Sequence, residues 1–469
     1  MRFPRVSAVC RRGSTSGLSL ILVLLICGSA LAAGHQPTAI RADKVSVEVL
    51  PDATARFGCE LRPFDLSRGL FCYGPAAIRA AYGLDGLIAA GKDGTGETIV
   101  IIDAFGSPTL EEDLAAFDAV FGLPPPPSIH QIHMPGSPPF DYLNGNQLGW
   151  AEETSLDVQW AHAIAPGANI IVVAAVDNSF AAILDAQNYA IDHKLGHVMS
   201  ESFGASEYAL IQSGPDGVRV LLDNEKSYRR ARRGHISVLV SSGDDGVAGS
   251  DANGNLAPFP VAHYPASSPQ VTTVGGTNLF FGTLTNADPN GTYQGEVVWN
   301  DGFGATGGGV SMFFSEPLYQ RFGLRPGVEK PLHGRRGYPD VAYNAGVVGG
   351  VIVHLGFLGP AFGPGANGFY IFGGTSASAP QWAGITAIGN QIGGKPLGFL
   401  NTRVYSLAAL GILRGLTHDV TVGDNSFDGI PGYSAALGWD LTTGWGTPDF
   451  GSLLSWLCNG QDDDGSSDP

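Results

Sequence analysis

Two patterns of apolar positions alternate along the middle of the chain. Runs at residues 169–176, 197–202 and 238–242 read as buried strands, and 180–192 and 218–233 read as helices between them. Such alternation predicts an α/β fold, a parallel sheet flanked by helices on both faces, in a single catalytic domain. A glycine-rich turn at 91–96 precedes the first core strand. Val238, Leu239 and Val240 run into Ser241-Ser242-Gly243-Asp244-Asp245-Gly246, a strand ending in an acidic turn. In sheets of this kind that edge is where ligands bind. Further on, Trp382, Ile385 and Ile388 recur at helical spacing and predict a helix starting at Ser376. No internal repeat is visible.

The start of that last helix carries chemistry. Gly373-Gly374-Thr375-Ser376-Ala377-Ser378-Ala379-Pro380 places a serine between a tight glycine turn and a run of small residues. Pro380 is expected in the first turn, where its missing N–H costs little. Ser376 would then sit at the positive end of the helix dipole, near backbone N–H groups able to meet developing negative charge. A bare Gly-Thr-Ser would read as an ordinary helix cap.

A second segment, Gly149-Trp150-Ala151-Glu152-Glu153-Thr154-Ser155-Leu156-Asp157, continues to Trp160, Ile164 and Ala165-Pro166-Gly167-Ala168. On a helix Glu153 and Asp157 stand four apart and share a face. Solvated, their repulsion costs roughly 0.2–0.5 kcal/mol; enclosed, they share a proton and one pKa rises, as a carboxylate base requires. Glu152 competes for the role but points about 100° away and has no carboxylate four residues on. In the turn at 243–246, an aspartate can donate to an oxyanion only when protonated. Asp245 is the neighbouring alternative to Asp244.

Together these motifs resemble the sedolisins, the serine-carboxyl peptidases of the subtilisin-like superfamily. None of the 11 histidines has the His-Gly-Thr-His type context of a subtilisin base. The resemblance runs over residues 80–456 and implies a subtilisin-like fold with Ser376 as nucleophile, Glu153 as general base, Asp157 as its partner and Asp244 at the oxyanion. Thr98-Ile99-Val100-Ile101-Ile102-Asp103 resembles the family's opening strand; the family assigns the triad aspartate's work to Asp157, so Asp103 is expected to be structural. Ser200-Glu201-Ser202-Phe203-Gly204 resembles the strand beside which substrate lies, implying substrate contacts at Ser202 and Gly204. The segments around Thr417-His418-Asp419-Val420 and Ala436-Leu437-Gly438-Trp439-Asp440 imply one structural Ca²⁺. Its ligands would be the carboxylates of Asp419 and Asp440 and the carbonyls of Val420, Ala436 and Gly438, a hard oxygen set suited to that ion. Ala436 stands where the family commonly has glycine.

Composition narrows the picture. Of 469 residues 44% are hydrophobic and only 15% charged, with a net charge of −17. That argues against nucleic acid or an anionic membrane as partner and leaves protein or peptide substrates. Arg2, Arg5, Arg11 and Arg12 precede an apolar run at 18–27 and Ala30-Leu31-Ala32, which reads as a signal peptide over 1–32. A secreted (extracellular or periplasmic) monomer is therefore expected. Residues 33–80 read as a short leader, 81–458 as the peptidase domain and 459–469 as a disordered acidic tail. The leader is far smaller than the propeptide usual in the family, which puts zymogen control by such a domain in doubt. Export permits disulfides: Cys59 and Cys72 could close a short loop, while Cys458 could pair with either or stay free. Asn290-Gly291-Thr292 is a glycosylation sequon. The expected activity is an acid endopeptidase; a catalytically silent relative that binds peptides or acts as a surface protein, or a subtilisin-type protease, is the alternative.

Overall fold

The computed structural model describes residues 34–48, 57–61, 69–282 and 292–459. The expected signal peptide, Asn290 and Gly291 of the sequon, and residues 460–469 of the tail lie outside the described residues. Eight strands form the central sheet, in the order Tyr293–Val298, Thr272–Phe281, Ser237–Ser241, Val198–Glu201, Thr98–Ala104, Asn169–Ala175, Ile129–His133, with Val341–Asn344 also pairing to Thr272–Phe281. Every pairing is parallel except that of Tyr293–Val298.

Alternation along Thr98–Ala104 shows how the two faces are covered. Ile99 and Ile101 point into a core shared with Leu156, Trp160, Trp382 and Ile385. Val100 and Ile102 point into the opposite core with Ile183, Ala186, Leu221 and Tyr228. Helices Gly145–Ile164 and Thr375–Gly393 therefore cover one face, and Phe180–Asp192 and Pro215–Arg233 the other. The last begins three residues earlier than expected because Pro215 occupies its first turn, a position proline suits.

The helix bearing Ser376 (the serine helix) and Gly145–Ile164 (the acid helix) pack closely. A Cβ at Gly384 would stand 2.9 Å from Cβ of Ile164, so only glycine permits this approach. Trp160 and Trp382 anchor the two helices, each burial contributing about 2–3 kcal/mol. Their indole N–H groups donate to the carbonyls of Ile352 at 2.9 Å and Ala342 at 3.2 Å. The serine helix starts at Thr375, so Pro380 is its sixth residue and lies beyond the expected first turn. Its missing N–H leaves the Ser376 carbonyl without the usual i→i+4 donor.

The leader is part of the fold. Ile40–Val45 forms the edge of a four-stranded sheet with Gly368–Gly373, Gly350–Leu355 and Cys72–Tyr73. Cys59 and Cys72 are disulfide-bonded and Cys458 is free. Among the described residues no helix is long and apolar enough to cross a membrane.

Candidate active site

The parallel strands deliver two acidic positions and one serine to one edge. Asp103 lies near the end of its strand, and Ser202 and Asp244 lie just beyond theirs. Over that edge the acid helix presents Glu153 and Asp157, and the serine helix presents Ser376; all three are wholly buried. The Asn144 side chain caps the acid helix by accepting from the N–H groups of Asn146 and Gln147. Gly374, at φ +106°, turns the chain into the serine helix; a Cβ there would collide with the Thr38 carbonyl oxygen and Asp244 Oδ2.

Glu153 Oε2 accepts from the Ala39 N–H at 2.7 Å, and the Ser376 hydroxyl is close enough to favour the charged form of this carboxyl. Burial outweighs both and pushes the Glu153 pKa well up, helped by the charges of Asp103 and Asp244. Asp157 Oδ1 accepts from Ser202 Oγ at 2.9 Å. Its pKa is also raised, by burial first and then by Asp103 and Glu153. Enclosing carboxylates costs several kcal/mol each, far more than the surface repulsion of an i,i+4 pair, so the group retains protons. Asp103, expected to be structural, is the cluster's third member: it is wholly buried and its pKa is pushed up by burial to about 7. The available signal was a charge ending the apolar run Ile99–Ile102.

Asp244 Oδ1 accepts from the backbone N–H and hydroxyl of Thr375 at 2.7 and 2.8 Å. Oδ2 is buried with no hydrogen-bond partner. Burial drives its pKa well up against the two Thr375 bonds, and the proton it keeps belongs on Oδ2, since Oδ1 already accepts twice. Asp245 is exposed. Glu152 pairs with Arg41 at 2.9 Å, whereas Glu153 faces Ser376. Ser202 gives its hydroxyl to Asp157, whereas Gly204 pairs through its backbone with Gln36. Thr38, unanticipated from sequence, places Oγ1 2.5 Å from Ser376 Oγ and 3.1 Å from Ser241 Oγ.

Residues 145–392 match the Subtilase family. The chain is 32% identical over 430 residues to kumamolisin of Bacillus sp. (strain MN-32), covering 86% of this chain and 70% of that one. The chain belongs to the sedolisin family. To sedolisin of Pseudomonas sp. (strain 101) it is 31% identical, across 77% of this chain and 57% of that protein. A solved structure of Pseudomonas sedolisin, a serine-carboxyl proteinase complexed with two molecules of pseudo-iodotyrostatin, superimposes with TM-score 0.68 at 28% identity, over 83% of this chain and 98% of that one. Membership makes this sedolisin-family chain a serine-type peptidase.

The expected cation segments also meet. Gly438 N–H donates to Asp419 Oδ2 at 2.9 Å and Ala436 N–H to Asp440 Oδ2 at 2.8 Å, so one loop holds both carboxylates. Asp440 Oδ1 is filled by the N–H and hydroxyl groups of Thr442 and Thr443. Asp440 Oδ2, with a single donor, keeps a free lone pair, and Asp419 supplies a second carboxylate beside the same loop. The donor set fits a hard cation.

Raised carboxyl pKa values link stability to pH. Such groups stabilise the fold fully below their unfolded values near 4, and that contribution is lost as pH rises through the folded values, about 7 for Asp103. In a Ser376→Ala background, which avoids self-digestion, the melting temperature should therefore fall between pH 5 and pH 8. Asp103→Asn should make that fall shallower. Thermal melts across this range check both; a melting temperature that rises with pH contradicts the assignment.

Proposed function

We propose that the chain is an exported, acid-active serine-carboxyl endopeptidase. Ser376 attacks the carbonyl carbon of a peptide bond while Glu153 takes the hydroxyl proton. Asp157, held by Ser202, orients Glu153 and shares its proton load, with Asp103 behind both. Protonated Asp244 donates from Oδ2 to the oxyanion, assisted by the N-terminus of the serine helix. Glu153 then protonates the leaving amine, and water cleaves the acyl-enzyme by the same steps in reverse. The observation that carries this reading is the fully buried Glu153 carboxyl beside the Ser376 hydroxyl; among the described residues no histidine pairs with that serine.

Export rests on the signal-like N-terminus. Asp419 and Asp440, with the carbonyls of Val420, Ala436 and Gly438, would hold a structural Ca²⁺ that ties the C-terminal loops together and takes no part in bond cleavage.

Ser376→Ala and Glu153→Gln should each lower kcat/KM on a denatured protein by roughly 10⁴ or more, with the double variant little worse, because they act as one unit. Near-full activity in Glu153→Gln would refute the base assignment. For pH, the sign follows from Asp244: it works protonated, so activity is lost as pH rises through its raised pKa. Asp244→Asn should move the alkaline limb of the kcat profile to higher pH, at a lower maximum; an unmodified enzyme fastest near pH 8 would contradict the scheme. For the cation, a chelator should lower the melting temperature and Ca²⁺ restore it. Asp419→Asn should remove that response, and elemental analysis of the native protein should find calcium. Melts indifferent to chelator with no bound metal would refute the site.

A further inference from the structure

Glu152 precedes the proposed base on the acid helix yet takes no part in the proposed bond cleavage. Its side chain is largely buried, and among the described residues Arg41 is the one cation paired with it, at 2.9 Å. Two aromatic rings complete the surroundings. The Arg41 guanidinium stands 5.2 Å from the Tyr370 ring centroid and 5.5 Å from that of Phe362, within cation–π range. Glu152 is close enough to Tyr370 for its charge to oppose ionisation of the phenol. The three side chains come from the acid helix, strand Gly368–Gly373 and helix Gly359–Phe362. The catalytic domain thus builds a carboxyl flanked by rings, and Arg41 is what it holds.

The place of Arg41 along the cleft follows from its neighbours. Thr38 Oγ1 meets Ser376 Oγ, and the Ala39 N–H donates to Glu153 Oε2 at 2.7 Å, so the Thr38–Ala39 peptide lies over the proposed nucleophile and base. Arg41 is the third residue on the amine side of that peptide. From Ile40 onward the chain pairs antiparallel with Gly368–Gly373, Ile40 opposite Gly373 and Arg41 opposite Phe372. That strand runs directly into Gly374 and Ser376. A peptide substrate reaching Ser376 must displace residues 36–45 and add to the same strand edge, where backbone pairing sets its register. Its third residue beyond the cut bond then meets Glu152.

We infer that Glu152, Tyr370 and Phe362 select an arginine at the third position on the leaving side of the cut bond, an inference that rests on the peptidase reading above. The carboxyl accepts guanidinium N–H groups while the two rings lie against the cation, an arrangement that suits planar arginine better than lysine. A substrate with glutamate there would bring two carboxyls together in an enclosed place without a cation, which disfavours their charged forms. Glu152 acts on substrate binding and not on bond making, so its effect belongs in KM.

The test digests a proteome-derived peptide library with the full-length protein and reads the third residue after every cut by mass spectrometry. Burial pushes the Glu152 pKa up to about 7 against the pull of Arg41, so the digest runs at the highest pH that still supports cleavage. One cleaved peptide is then remade with arginine, citrulline or glutamate at that place; citrulline keeps the shape and removes the charge. The expected results are arginine enriched in the library and kcat/KM about tenfold higher for arginine than for citrulline, mostly through KM, with glutamate poorest. In Glu152→Gln the arginine-to-citrulline ratio should fall to about one. Should that variant fail to fold, Phe362→Leu, which changes an exposed ring, should still reduce the ratio. A wild type that digests the library but treats arginine and citrulline alike, or a ratio unchanged in the variants, overturns the inference and leaves the endopeptidase reading intact. A wild type that cuts no peptide overturns both.

Discussion

Three carboxyl groups enclosed against one serine are the constraint on which the site depends. Asp103, Glu153 and Asp157 are all shut away from water, and ionising them together would cost more than their hydrogen bonds return. The cluster therefore retains protons, and in the proposed mechanism it supplies the base that works at acid pH. The same enclosure explains the scaffold. Asp103 needs the end of a central strand, Glu153 and Asp157 need successive turns of one helix, and Ser376 needs a second helix packed on the first. Gly384 makes that packing possible by its lack of a side chain.

Asp244 repeats the principle beside the turn that precedes Ser376. Its Oδ1 is taken by Thr375, the residue preceding Ser376, so one turn positions both Asp244 and Ser376, the proposed oxyanion donor and nucleophile. The free Oδ2 is held apolar enough to remain protonated. In the proposed mechanism base and oxyanion donor are both carboxyls, one needed ionised and the other neutral, and their separate surroundings would decide which is which.

Much of this was legible in the sequence. The alternation of apolar runs fixed the parallel sheet because strands buried on both faces must be continuously apolar. The i,i+4 spacing of Glu153 and Asp157, and the Gly-Thr-Ser turn, marked residues that the fold brings together over one sheet edge. The electrostatic influence of Asp103 on Glu153 and Asp157 was not legible because it comes through space, from a strand far from the acid helix in sequence. The placement of 35–45 was invisible for a related reason. Strand pairing over more than 300 residues, as between Ile40–Val45 and Gly368–Gly373, leaves no local signal in either segment. Pro215 and Pro380 show the local limit: one helix begins at Pro215, three residues before its expected start at 218, and Pro380, expected in the first turn, lies sixth in its helix.

The most direct measurement of the central claim is an infrared titration of the carboxyl C=O stretch in the Ser376→Ala protein. The account predicts protonated carboxyl absorption persisting at pH 6, well above the ordinary carboxylate range. Part of it should disappear in Glu153→Gln and in Asp157→Asn. Complete ionisation of every carboxyl by pH 5, with spectra unchanged by either substitution, would contradict it.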